Sequence, residues 1–85
     1  MSSLDDLIAS ITANKDATDE LTARIEGSKQ QAEELLGQVT ALGAEGVANA
    51  VMGVKDRLEQ SASQNRATSL QLDEAATAAA AAKQA

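Results

Sequence analysis

Apolar residues recur every three or four positions on both sides of one glycine-rich break, Leu42-Gly43-Ala44-Glu45-Gly46, and this heptad beat restricts the chain to long helices. Before the break, the a positions are Leu4, Ile11, Thr18, Ile25, Ala32 and Val39, and the d positions are Leu7, Asn14, Leu21, Ser28, Leu35 and Leu42. After it, a falls on Val51, Leu58, Asn65, Leu72 and Ala79, and d on Val47, Val54, Ser61, Thr68, Ala75 and Ala82. Two such segments joined by a short turn predict an all-α, antiparallel helical hairpin of coiled-coil type. The whole chain, 1–85, reads as one hairpin: a first helix over about 3–42, a turn at 43–46 built on Gly43 and Gly46, and a second helix over about 47–83.

The core such a hairpin can build is thin. Of its apolar residues 19 are Ala, leaving nine Leu, three Ile, four Val and two Met as larger side chains. Small cores are commonly completed by association, so assembly into a four-helix or larger bundle is expected. The partner is another copy of the chain or a second helical protein.

What the chain lacks narrows its chemistry. Without Cys or His there is no disulfide framework, thiolate nucleophile or imidazole base. Without aromatic residues there is no stacking platform for bases or sugars. A net charge of −6 opposes binding to nucleic acid and to anionic membranes. The acidic groups Asp16/Asp19/Glu20 and Glu33/Glu34 lack the histidines of a di-metal helix bundle. No catalytic residue, cofactor, metal or small-molecule substrate is expected, and the reading is of a non-enzyme. The N-terminal stretch Met1-Ser2-Ser3-Leu4-Asp5-Asp6 carries acids where a secretory leader carries bases, which predicts a cytoplasmic protein or one exported without a signal peptide.

Local signals agree with two helices. Ser2 or Ser3 is placed to cap the first, with Asp5 or Asp6 at capping-box spacing. Lys15–Asp19, Glu20–Arg24 and Lys29–Glu33 fall at i,i+4 on its surface. Zero proline leaves both segments unbroken. Gly27, Gly37 and Gly53 sit at c or f, away from the a/d seam, where they either admit another backbone or occupy tolerant surface positions.

Matching a layers to d layers sets Leu35 against Val51, Ile25 against Ser61, Leu21 against Asn65 and Leu7 against Ala79. The hairpin core is then Leu4, Leu7, Ile11, Leu21, Ile25, Leu35, Val39, Val51, Val54, Leu58 and Leu72. Ile8, Leu36, Met52 and Leu70 lie beyond a and d, and are expected to contact the next chain. Asn14 and Asn65 are polar seam positions able to fix register. Toward the open end Leu4, Leu7 and Ile11 meet only alanines, so uncovered apolar surface is expected there.

A short acidic hairpin with glycine at its turn and an Ala-rich C-terminus resembles the actinobacterial ESX-type (Trp-X-Gly) helical-hairpin proteins. The resemblance is architectural: this chain has glycine without the Trp, and no Tyr for the family's C-terminal export signal. It implies, as an alternative to self-association, a secreted effector or chaperone partner folding as a hetero-oligomer. The alanine-heavy usage also suits a high-GC actinobacterial genome.

Overall fold

The computed structural model describes residues 3–85. It contains two helices, α1 (Ser3–Ala41) and α2 (Glu45–Ala82), folded back on each other as a hairpin. Its extents are 63 × 16 × 11 Å. No strand occurs among the described residues.

The reversal is a Schellman turn. Gly43 has φ +75°, a left-handed conformation that costs glycine nothing for want of a Cβ. The Gly43 N–H donates to the Thr40 carbonyl and the Ala44 N–H to the Val39 carbonyl, both at 3.0 Å, so two otherwise orphaned carbonyls of α1 are satisfied. The turn is shorter than the sequence implied. Ala44 serves as the N-cap of α2 with no side-chain cap bond, and Gly46, expected in the turn, lies in the first turn of that helix. At the other end, i to i+3 bonds from Lys83, Gln84 and Ala85 tighten the last turn. Capping of α1 by Ser2 lies outside the described residues; Ser3 is the first residue of the helix.

The interhelical seam does not use the a and d columns. Buried and half-buried positions on α1 are Leu4, Ile8, Ile11, Lys15, Thr18, Thr22, Ile25, Lys29, Ala32, Leu36 and Val39, an alternation of a with e, together with Asp5 and Glu26 beside them at b. On α2 and its N-cap they are Ala44, Ala48, Val51, Lys55, Leu58, Ala62, Asn65, Ser69, Leu72, Ala76 and Ala79, again a and e, with Glu59 beside them at b. The predicted layers shift accordingly: Ser61 is exposed while its neighbour Ala62 is 0% exposed. Cross-helix partners fix the register. Lys29 meets Glu59, Asp19 meets Ser69 and Asp5 meets Lys83, each step back along α1 matched by an equal step forward along α2.

Two helices cover only two of the three apolar columns that these sequences carry, and physical chemistry selects a and e. The e column of α2 is small (Ala48, Ala62, Ser69, Ala76), which lets the helices approach closely. The e column also holds Lys15, Lys29 and Lys55, whose aliphatic stems lie in the half-buried seam. Two of these heads reach carboxylates, Lys15 to Asp19 and Lys29 to Glu59.

Candidate functional site

The column left over is the candidate interaction surface. Leu7, Leu21, Leu35, Leu42, Val47 and Val54 all occupy d positions, and all are exposed, from Leu35 at 45% to Leu42 at 83%. Four of them, Leu7, Leu21, Leu35 and Val54, were expected in the hairpin core. That expectation is corrected, because each helix is rotated to bury e in place of d. Leu4, Ile11, Ile25, Val39, Val51, Leu58 and Leu72 do lie in the seam.

The same rotation reverses the expected outer contacts. Ile8 and Leu36, expected to contact a second chain, are half-buried in the seam. Met52, at 49% exposure, and Leu70, at 60%, remain outside it at b and f, away from the d columns. These four residues therefore form no common surface. The surplus apolar area runs along the whole hairpin; at the open end, Leu4 and Ile11 turn inward and only Leu7 belongs to it.

The d columns of the two helices share one face. An open groove of about 400 Å³ near the turn is lined by Ser28, Gln31, Ala32 and Leu35 of α1 and by Val51, Val54 and Leu58 of α2. Position g flanks d on a helix surface, so the face comprises d and g. Here the charge pattern is sharply asymmetric. All 13 acids of the chain fall at b, c or f, and none at d or g. The d and g columns otherwise hold small or amide side chains, and their only charges are Arg24 and Arg57. Sequence reasoning aimed at the apolar beat missed this signal, although every residue of it was legible.

The opposite edge of the seam is ionic. Lys29 Nζ donates to Glu59 Oε2 at 2.7 Å, and Arg66 bridges Glu59 and Glu26 at 2.9 Å each, which ties α1 to α2. Hydrogen bonding from Lys29, then from Arg66, holds the Glu59 carboxyl below its ordinary 4.5. The same contact raises Lys29 above its ordinary 10.5. Asp19 is held below 3.8 chiefly by the Ser69 hydroxyl, which donates to it at 2.5 Å, and next by Lys15.

Polar residues in the middle of the seam are only partly satisfied. Thr18 and Thr22 donate to the carbonyls of Asn14 and Thr18. Asn65 lies in the seam with its Nδ2 buried and without a hydrogen-bond partner among the described residues. Asn14, also expected as a seam residue, is exposed on the d column. Among the described residues, no group of three or more His, Cys, Asp or Glu is placed to hold a metal ion, and no helix is long and apolar enough to cross a membrane. Comparison with protein-family models, curated proteins and solved structures finds no match to this chain.

Proposed function

We propose that this chain is a non-enzymatic structural or interaction protein, a helical hairpin that self-associates through its d/g face into a four-helix bundle. The observation that carries this reading is the face itself: an apolar stripe running the length of the hairpin and free of every acid on a strongly acidic chain. Apolar stripes of this extent on soluble proteins mark interaction sites. The exposed area points the same way. The chain presents 5831 Å², whereas a compact globular protein of its 8.7 kDa presents roughly 4,700 Å². The excess of about 1,100 Å² exceeds the ~800 Å² each partner buries in a standard protein–protein interface.

Sedimentation equilibrium at micromolar concentration tests the proposal. The expected result is a dimer or larger oligomer. Leu21→Lys and Leu35→Lys should dissociate it, since both sites lie outside the seam and a lysine there leaves the hairpin itself intact. A folded wild-type monomer, helical by circular dichroism, overturns the reading.

A further inference from the structure

We infer that the face described above receives a second copy of this chain running antiparallel to the first, with the two glycine turns at opposite ends and a two-fold axis beside Leu21. The inference rests on the proposed self-association and specifies its geometry. Its first basis is the order of residues along the d column of α1. Leu7, Asn14, Leu21, Ser28 and Leu35 form a palindrome in character, with leucine at both ends and the centre and polar residues between. Reversed about Leu21, as an isologous two-fold contact requires, Leu7 of one copy meets Leu35 of the other, Leu21 meets its own equivalent, and Asn14 meets Ser28. On α2 the same operation carries Val54 over Ala80 in the alanine tail of the other copy, large against small. With the turns at the same end, α1 would instead face α2, setting Leu21 against Thr68 and Leu7 against alanine.

Charge complementarity supplies the second basis. The axis lies beside Arg24 and Glu20, already paired at 2.9 Å within each chain and both largely exposed, so the two pairs would meet around it as a mixed-sign cluster. The same reversal sets Arg57 of one copy level with Thr77 of the other, less than one helical turn from Glu74 and within reach of its side chain, and neither Arg57 nor Glu74 has an ion-pair partner among the described residues. The remaining acids stay on the outer b, c and f positions, where −6 per chain keeps the paired hairpins from associating further through those faces.

The chain has no cysteine, so a single Glu45→Cys change places one spin label at the turn of each copy. Pulsed electron–electron resonance on the full chain should give a separation of about 60 Å, on the scale of the hairpin's 63 Å length. A dimer with turn-to-turn separation below about 30 Å overturns the antiparallel geometry while leaving self-association standing; a helical monomer by sedimentation overturns both. A charge exchange adds an independent readout. Arg57→Glu should weaken dimerisation roughly 2- to 10-fold through two equivalent rim pairs, and Arg57→Glu combined with Glu74→Arg should restore it. Weakening that the double variant does not relieve would overturn the assigned pairing.

Discussion

Replacing Gly27, Gly37 and Gly53 together with alanine tests both the energetics and the two-faced design. All three lie inside helices, and an added Cβ at any of them meets no atom within 4 Å. None has the left-handed backbone that marks Gly43. Glycine in a helix interior is about 0.8–1.0 kcal/mol less favourable than alanine. The three sites share no partner, so the gains should add, to about 3 kcal/mol. For a domain of this size each kcal/mol moves the melting temperature by roughly 4–8 °C, which predicts a rise of roughly 12–24 °C. A symmetric dimer doubles both the gain and the unfolding entropy, so the shift is the same for either oligomeric state. Thermal unfolding followed by helix circular dichroism measures it, and sedimentation of the same sample reports assembly. A melting temperature unchanged or lowered refutes the open-surface placement. A stable hairpin that no longer associates would refute the choice of face, since it would mean that another backbone packs against c and f.

Four further outcomes follow from single sites. Asn65→Leu removes a buried amide nitrogen without a partner, a group that costs about 1–3 kcal/mol, so the urea midpoint should rise; a lower midpoint would mean that the amide is satisfied in the assembled protein. Gly43→Ala should cost about 1–2 kcal/mol, because alanine must then adopt the left-handed conformation, whereas Gly46→Ala, in the first turn of α2, should be neutral or stabilising in the same denaturation assay. Glu59→Gln should destabilise the hairpin at neutral pH. Because the folded-state value of Glu59 is depressed, its contribution is complete above 4.5 and disappears as pH falls through that lower value. The gap between wild type and variant should therefore close in acid, and a gap that persists at pH 2 would show that charge on Glu59 is not its source.

The helices and their reversal were legible because local physics dictates them. An unbroken 3.5-residue beat with no proline forces the helices, and Gly43 is the residue that a left-handed helix terminus favours. Gly46 misled because glycine density suggests a longer turn, yet the two hydrogen bonds around Gly43 already complete the reversal. Rotation of the helices was a different problem. With apolar residues at a, d and e, hydrophobic periodicity alone cannot say which pair of columns closes the hairpin. Leu7, Leu21, Leu35 and Val54 look like core, and Ile8 and Leu36 like surplus, until charge is considered.

Charge helps to break that degeneracy, because a lysine at the edge of a seam gains from a carboxylate within reach, and carboxylates occur at b, c and f alone. With Lys29 at e, turning a and e inward lets it reach Glu59 across the seam on the b side, whereas Lys15 pairs with Asp19 along α1 itself. Turning a and d inward would keep those lysines in solvent and press Leu7, Leu21 and Leu35 into the seam. The ionic edge then fixes which apolar column remains uncovered. A hairpin selected only to fold alone has little use for Leu7, Leu21 and Leu35, which its own second helix leaves 45–50% exposed, nor for excluding every acid from their columns. Under the proposed self-association one physical pressure accounts for both: a carboxylate on a face set against another apolar surface would have to be desolvated without a partner.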